Sequence, residues 1–280
     1  MNTNILVIGG TGKTGRRVVK QLQDKGIEPK IGSRSATPSF DWDNKDTWVK
    51  ALEGIKKMYV TYYPDLAVLG AKKAIESLTY LAKELGVKKI VLLSGKGEVE
   101  AEACEKIVMN SGINYTIVRA SWFNQNWSES FFLEPILSGE VALPMPDVLI
   151  PFVDADDIAE VATVALLDDN YNNTIIEVTG PELVTFKDVI NTIAKASNRS
   201  LHFHSITLEQ YVEGMKQMQI PADVIWLIEY LFSHVLTNPE NQKITNDIEK
   251  VLGRPAKTFL AYAEETAKTG IWNQVKVEEL

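Results

Sequence analysis

The fold is decided by Asn4-Ile5-Leu6-Val7-Ile8-Gly9-Gly10-Thr11-Gly12-Lys13-Thr14-Gly15, which is followed by Arg16-Arg17-Val18-Val19-Lys20-Gln21-Leu22. Residues 4–8 are an apolar run that ends in glycine, and this pattern predicts a buried central strand. Residues 16–22 carry apolar side chains at helical spacing until Gly26, which predicts a helix. The glycines therefore fall on a strand–turn–helix junction.

This junction is typical of a site for a dinucleotide pyrophosphate. Gly9, Gly12 and Gly15 let the backbone turn tightly and approach a phosphate closely, and the helix N-terminus offers free N–H groups with a partial positive charge. A glycine spacing alone is weak evidence, but the strand before it and the helix after it agree with the motif. The sequence predicts cofactor contacts from Gly9, Thr11, Gly12, Lys13, Thr14 and Gly15.

Residues 29–34 are predicted as the next strand, and its end indicates which dinucleotide binds. An NAD site usually has an acidic residue about 20 positions past the glycines, where it holds the ribose hydroxyls. Here Ser33 and Arg34 occupy that place. A guanidinium there could pair with a 2′-phosphate, with help from Lys13, so we expect NADP(H) to be preferred over NAD(H). The alternative is a solvated arginine at a strand end.

Length and composition exclude several classes of protein. The chain has 280 residues, 45% of them hydrophobic, a net charge of −8 and a single cysteine. It has no stretch of about 20 apolar residues, which a membrane span needs, and no signal-peptide pattern. The acidic balance argues against broad nucleic-acid binding, and the lone cysteine fits a reducing compartment. We therefore expect a cytoplasmic protein that acts on a small molecule, while the oligomeric state stays open.

Strands and helices alternate along the first half of the chain, which predicts an α/β fold with a doubly wound parallel sheet of the Rossmann type. Helices are predicted over residues 66–85 and 98–110. Later helices are predicted over 185–197, 207–218, 223–236, 246–252 and 258–269. We expect a dinucleotide-binding domain over 1–155, to which 174–180 returns, and a smaller, mostly helical substrate domain over 156–280. Strands around 141–153 are also expected to return to the sheet. The predicted strands of the first half cover residues 4–8, 29–34, 39–42, 57–63, 87–95 and 113–119.

Further cofactor contacts are expected where these strands end, because ligands of open α/β sheets bind at the carboxyl ends of the strands. Asp41 could accept a hydrogen bond from the adenine amino group and Trp42 could stack on the ring, or the two could form a cap and part of the core. Tyr62 and Tyr63 could line the cofactor or only pack. Ser94 ends the strand over 87–95. Ser94 and Tyr62 are candidate proton donors.

The aromatic segment after Arg119 is a candidate substrate pocket. Phe123, Trp127 and Phe131 are spaced by four, which would place them on one helical face. Such a stripe more often packs in a core, but this one begins at the carboxyl end of a strand, where a substrate would lie. The candidate substrate residues are Trp122, Phe123, Asn124 and Trp127.

No metal site and no nucleophilic cysteine are expected. His202 and His204 alternate onto one strand face but have no third ligand at a sensible spacing. The carboxylates of residues 154–157 stand where a helix N-terminus favours negative charge. Cys104 lies mid-helix without a base partner.

Several motifs together resemble one family, the NmrA-like branch of the atypical short-chain dehydrogenases/reductases, and within it the proteins similar to festuclavine dehydrogenases of ergot alkaloid synthesis. The resemblance covers residues 4 to about 272 and implies a Rossmann domain, NAD(P)H binding and reduction of an imine, a quinone or a similar acceptor. The motifs are Gly9-x-x-Gly12-x-x-Gly15, Gly32-Ser33-Arg34-Ser35, Phe40-Asp41-Trp42, Ser111-Gly112-x-x-Tyr115-Thr116-x-x-Arg119, Ser121-Trp122-Phe123, Pro151-Phe152-Val153-x-x-x-Asp157-Ile158-Ala159 and Thr179-Gly180-Pro181.

One departure from the wider superfamily matters for function. Active members usually carry Tyr-x-x-x-Lys, but the corresponding places here fall on Gly97 and Ala101. The phenol that would protonate a carbonyl oxygen is missing, so an ordinary alcohol dehydrogenase is not expected. Two alternatives remain: a reductase of planar acceptors that need little acid catalysis, which we favour, and a non-catalytic NADP sensor.

Overall fold

The computed structural model describes residues 4–273. The chain divides into two compact units. The first contains the described residues up to Ala120, then Ala155–Val178 and Thr245–Pro255. The second contains Ser121–Asp154, Thr179–Ile244 and the described residues from Ala256 onward. Beside the expected return of residues 174–180, this division places the segment after Ala120 in the second unit and residues 155–173 and 245–255 in the first.

The strands number eight in the described residues: β1 (Ile5–Ile8), β2 (Lys30–Gly32), β3 (Lys57–Val60), β4 (Lys89–Gly95), β5 (Asn114–Ala120), β6 (Glu140–Leu143), β7 (Thr174–Val178) and β8 (His202–Ser205). Six of them form the sheet of the first unit, in the order β2-β1-β3-β4-β5-β7, and every pair is parallel. This order confirms the predicted doubly wound sheet and the return of residues 174–178. The order reverses beside β1, which is where such sheets bind ligands.

The α-helices in the described residues are α1 (Gly15–Asp24), α2 (Trp48–Leu52), α3 (Ala71–Glu84), α4 (Val99–Met109), α5 (Leu133–Ser138), α6 (Ala155–Leu167), α7 (Phe186–Ser197), α8 (Leu208–Gln217), α9 (Ala222–Tyr230), α10 (Asp247–Leu252) and α11 (Phe259–Lys268). The predicted helices are confirmed, with shifted ends. Helix α3 begins five residues later than predicted, after Gly70 in the left-handed region (φ 97°). Leu69, inside the predicted helix, is therefore in the preceding turn and fully exposed.

The predicted strand over residues 39–42 is wrong. Asp41 forms only an isolated bridge with Asn44. Phe40 is buried and stacks with Trp48, and Trp48 donates its indole N–H to the Asp41 carbonyl at 2.6 Å. A loop that packs aromatic side chains against the core shows the same alternation of apolar and polar residues as a short strand. The pattern therefore predicted the burial of Phe40 correctly and the strand conformation incorrectly.

The second unit has its own core. Strands β6 and β8 form a separate two-stranded parallel sheet, so the prediction that residues 141–143 return to the main sheet is wrong. Helices α7 and α8 begin in capping boxes at Thr185 and Thr207. The predicted helix over 223–236 is α9 continued by a π-helical turn over Leu231–Val235.

The aromatic segment after Arg119 is not one helix, so the predicted helical stripe is wrong. Phe123 is extended, a 3₁₀ turn covers Asn124–Trp127, and Phe131 is exposed. Between residues 4 and 273 no helix is both long enough and apolar enough to cross a membrane.

Candidate dinucleotide site

The glycine loop between β1 and α1 leaves no room for a side chain at Gly9, Gly10 or Gly15. Gly9 has φ +73°, and a Cβ there would lie 2.3 Å from Thr61 Cγ2. A Cβ on Gly15 would lie 2.1 Å from the Gly9 carbonyl oxygen. The first turn of α1 therefore packs directly on the loop, and only glycine permits this close approach.

Backbone N–H groups at this turn are available to an anion. Gly12 donates to the Gly9 oxygen at 2.8 Å and closes the turn. In the described part of the chain, Thr11, Thr14 and Gly15 have no backbone acceptor for their N–H groups. Thr11 and Gly12 are exposed, whereas the Thr14 hydroxyl is buried and accepts from Tyr59 at 2.8 Å. The loop thus fits a pyrophosphate as the sequence predicts.

Backbone hydrogen bonds join the glycine loop to the end of β2, the strand that precedes Arg34. Gly9 donates its N–H to the Gly32 oxygen at 2.8 Å, which joins the carboxyl ends of β1 and β2. Two residues further on, Arg34 is exposed, and none of the described residues forms an ion pair with it. Ser33 lies beside it with its hydroxyl 3.3 Å from that of Ser35. An uncommitted guanidinium at this place is suited to a phosphate.

Asp41 and Trp42 make the contacts of a structural turn. Asp41 Oδ1 accepts from the Asp43 N–H at 3.1 Å, and its own N–H donates to Thr47 Oγ1 at 3.0 Å. Trp42 is half-buried, with its ring 4.8 Å from that of Tyr62. These contacts match the cap-and-core alternative, and Trp42 keeps part of its surface accessible.

The two tyrosines after β3 differ in their surroundings. Tyr63 is 79% exposed. Tyr62 is half-buried against Trp42, and this burial, together with Asp43 and Cys104, raises the pKa of its phenol. Tyr62 is therefore protonated at neutral pH and is able to donate a hydrogen bond.

Ser94 is not available as a proton donor, which corrects the prediction. It is 3% exposed, and its hydroxyl donates to Glu105 Oε1 at 2.7 Å. Arg119, its partner in register on β5, holds both oxygens of the buried Glu105, with Nη2 2.6 Å from Oε2. A carboxylate so paired is an acceptor only, so the single proton of Ser94 is committed to it. Toward any ligand Ser94 offers lone pairs.

Two of the candidate substrate residues lie in the core of the second unit, which corrects their assignment to a pocket wall. Trp127 has no exposed surface and stacks on Phe132 at 4.4 Å. Asn124 is also fully buried, with Nδ2 3.4 Å from Asp154 Oδ2. Side chains without accessible surface do not contact a substrate in this conformation. Trp122 and Phe123 are half-buried and keep accessible surface.

The side chains considered as metal ligands or as a nucleophile lie in other surroundings. No group of three or more potential ligand side chains within residues 4–273 could hold a metal ion. His204 instead pairs with Glu140 at 2.5 Å, and Asp156 pairs with Arg17 at 2.6 Å. Burial raises the pKa of Cys104 to about 11, so its thiol stays neutral and unreactive.

The sequence model of the NmrA-like family matches residues 40–263. The chain belongs to the NmrA-like family. Full-length relatives include prestalk A differentiation protein A of Dictyostelium discoideum, 28% identical over 94% of this chain and 92% of that protein. NAD(P)H azoreductase of Xenophilus azovorans is 30% identical over 94% of this chain and 98% of that protein. Festuclavine synthase II of Penicillium roqueforti is 28% identical over 93% of this chain and 97% of that protein.

Solved structures share the fold of this chain. An NADPH-dependent quinone oxidoreductase of Escherichia coli, in complex with NADPH, superposes with a TM-score of 0.77 at 19% identity, over 93% of this chain and 99% of that one. The triphenylmethane reductase of Citrobacter sp., in complex with NADP(H), superposes with a TM-score of 0.71 at 17% identity, over 95% of this chain and 99% of that one. At these identities the likeness is one of fold.

Two carboxyl groups of this NmrA-like chain were missed from the sequence. Asp65 follows β3 and the buried Glu98 follows β4, and desolvation raises the pKa of both groups. The signal that could have found them is their position, because each comes a few residues after a predicted strand, at the sheet edge where ligands bind.

Proposed function

We propose that this NmrA-like protein is an NADPH-dependent reductase that passes a hydride to a small planar acceptor, such as an iminium ion, a quinone or an azo compound. The observation that carries the proposal is the glycine cradle of the first unit, with Arg34, which pairs with none of residues 4–273, two residues after Gly32. The azoreductase and festuclavine synthase among its relatives support a reductase.

The bound cofactor would supply the hydride, and the protein would bind and orient it. The N–H groups of Thr11, Thr14 and Gly15 would hold the pyrophosphate. Arg34, with Lys13, would hold the 2′-phosphate. Trp42 and Tyr62 would flank the cofactor, and the half-buried Trp122 and Phe123 are the proposed contacts for the acceptor.

The test is the oxidation of NADPH by the purified protein with a panel of quinones, iminium salts, triphenylmethane dyes and azo dyes. We expect turnover above the uncatalysed rate with at least one acceptor class, and weaker turnover with NADH. Tight NADPH binding without turnover of any acceptor would contradict the proposal.

That contrary outcome would favour a second function, a non-catalytic sensor of NADP. The absence of a tyrosine at Gly97 and of a lysine at Ala101 supports it. So does the relative named as a differentiation protein in Dictyostelium discoideum. In a sensor, cofactor occupancy would shift the population of a binding surface without consuming the cofactor.

A further inference from the structure

Strand β3 and the residue that follows it contact the glycine loop at two places. A Cβ on Gly9 would lie 2.3 Å from Thr61 Cγ2, so the Thr61 methyl group occupies the space that this glycine leaves. Two residues earlier, Tyr59 pairs in register with Val7 of β1, the strand that leads into the loop. The Tyr59 side chain makes the second contact, at the other end of the loop.

This second contact is a hydrogen bond from Tyr59 to Thr14, the residue just before α1. Tyr59 has no exposed surface, and its hydroxyl donates to Thr14 Oγ1 at 2.8 Å. Burial raises the pKa of the Tyr59 phenol, which therefore keeps its proton. Within residues 4–273, Thr14 is the only hydrogen-bond partner of this hydroxyl. Tyr59 thus joins the core of the main sheet to the start of α1.

The Thr14 hydroxyl is available for this bond because the helix start does not use it. A threonine before a helix usually accepts an N–H of the first turn with its side chain. Here the Arg16 N–H donates to the Gly12 oxygen at 3.1 Å, and the Arg17 N–H donates to the Thr14 backbone oxygen at 3.1 Å. The main chain therefore closes the first turn, and the Thr14 side chain makes no capping bond.

The backbone N–H of Thr14 is one of the groups that the proposed function assigns to the pyrophosphate. In the described part of the chain it has no backbone acceptor, and neither has that of Gly15. Such groups bind an anion more tightly when they are already held in place, because less conformational freedom is lost on binding. A hydrogen bond from the buried Tyr59 to the side chain of Thr14 restricts the orientation of that residue.

We propose that Tyr59 is a positioning residue of the dinucleotide site, which holds Thr14 and the start of α1 in the orientation that binds the pyrophosphate. The inference rests on the coenzyme binding in the proposed function. Tyr59 lies in the core and acts through Thr14, without a contact to the coenzyme. Because NADPH and NADH share the pyrophosphate, Tyr59 supports both, whereas the role proposed for Arg34 concerns the 2′-phosphate alone.

The experiment measures coenzyme affinity in Tyr59→Phe, which removes the hydroxyl and keeps the buried ring. We expect the dissociation constants of NADPH and NADH each to rise by about fivefold, the effect of one hydrogen bond between neutral groups. A rise for NADPH alone would contradict a role at the pyrophosphate. Fluorescence titration measures both constants, and urea titration measures the stability of each variant.

Tyr262→Phe is the matched control. In the second unit, the buried Tyr262 donates to Ser128 Oγ at 2.8 Å, so this variant loses a hydrogen bond of the same kind outside the glycine loop. It should destabilise the protein to a similar extent and leave both dissociation constants unchanged. Equal losses of affinity in Tyr59→Phe and Tyr262→Phe would overturn the proposal, because they would indicate a general effect of lost stability.

A double variant separates positioning from stability more sharply. Tyr59→Phe leaves Thr14 Oγ1 buried without its partner, and Thr14→Val does the same to the Tyr59 hydroxyl. When both polar groups are absent, part of the lost stability should return. The affinity should stay about fivefold below that of the wild type, because the hydrogen bond is still missing. Recovery of affinity together with stability would overturn the proposal. So would a loss of about 25-fold, since the two side chains would then act independently.

Variants of Thr14 serve if Tyr59→Phe does not fold. Thr14→Ser keeps a hydroxyl and should bind both coenzymes as the wild type does, whereas Thr14→Val should bind them about fivefold more weakly. Equal affinities in these two variants would contradict the role of the hydrogen bond.

The outcomes distinguish this inference from the proposed function. Wild-type affinity in Tyr59→Phe would overturn the positioning role and leave the reductase function intact. If the wild type binds NADPH but turns over no acceptor, the reductase function fails, and the affinities of the variants still decide the role of Tyr59. If the wild type binds no nicotinamide coenzyme, both fail.

Discussion

At the scale of single residues, Arg34 is the side chain that we propose sets the cofactor preference. It is exposed and, within the described chain, has no ion-pair partner, so its guanidinium is available to a phosphate. A charge-assisted pair contributes about 1.5–3 kcal/mol, which corresponds to roughly 10- to 100-fold in affinity. Arg34→Ala should therefore weaken NADPH binding by about that factor and leave NADH binding nearly unchanged, as measured by fluorescence titration.

The exposed Lys50 in the same unit provides the control for Arg34. Lys50→Ala removes one positive charge at a position on helix α2, so it should affect both cofactors equally and weakly. If Arg34→Ala weakened NADPH and NADH binding to the same extent, the assignment of Arg34 to the 2′-phosphate would be wrong.

Glu98 makes the stability of the protein depend on pH. Its folded-state pKa is raised, mainly by burial, so the stabilisation that it contributes is complete below the unfolded-state pKa. This stabilisation is lost as pH rises through the folded-state pKa. The free energy of unfolding of Glu98→Gln should accordingly fall less with rising pH than that of the wild type. Urea titrations at a series of pH values measure how the free energy of unfolding of each protein changes with pH. The same change with pH in both proteins would contradict a raised pKa of Glu98.

At the scale of elements, the junction of β1 and α1 depends on the missing side chain of Gly15. A Cβ there would lie 2.1 Å from the Gly9 oxygen, a backbone atom that has no room to move. Gly15→Ala should therefore displace the helix N-terminus from the loop, lower the unfolding temperature and abolish NADPH binding. Thermal unfolding and cofactor titration check the two effects.

Gly214→Ala provides the control for Gly15→Ala. Gly214 lies inside helix α8, and a Cβ there would meet nothing within 4 Å. Gly214→Ala should stabilise the helix by about 0.5–1 kcal/mol, because alanine loses less backbone entropy on folding. Cofactor affinity should stay the same. Destabilisation by both substitutions would show that the packing argument for Gly15 is not specific to the loop.

At the scale of the whole molecule, cofactor binding should be coupled to folding. A ligand that binds only the folded state at 100 times its dissociation constant stabilises it by about 2.7 kcal/mol. Saturating NADPH should therefore raise the unfolding midpoint of the wild type, with no shift in Gly15→Ala. Differential scanning fluorimetry measures both. Absence of a shift with every nicotinamide coenzyme, oxidised or reduced, would contradict the dinucleotide site itself.

Local patterns were enough to predict the main sheet and most helices. Five of the six strands predicted before residue 120 exist, because apolar runs that end in glycine are determined by near neighbours in the chain. The same reasoning failed at residues 39–42, where a loop buries aromatic rings, and at residues 141–143, which pair with β8 instead of the main sheet. The local pattern of apolar residues predicts which side chains are buried. Strand pairing also depends on segments far away in the chain, which a local pattern does not identify.

The sequence by itself determined the glycine turn between β1 and α1, because the buried strand before it and the helix after it are set by near neighbours in the chain, and it placed Arg34 just after β2. Only the tertiary structure decided the surroundings of Ser94 and Trp127. The proton of Ser94 is held by a glutamate eleven residues away, and Trp127 is enclosed by rings from several segments. A side chain's chemistry depends on which groups surround it, and folding brings those groups from distant parts of the chain.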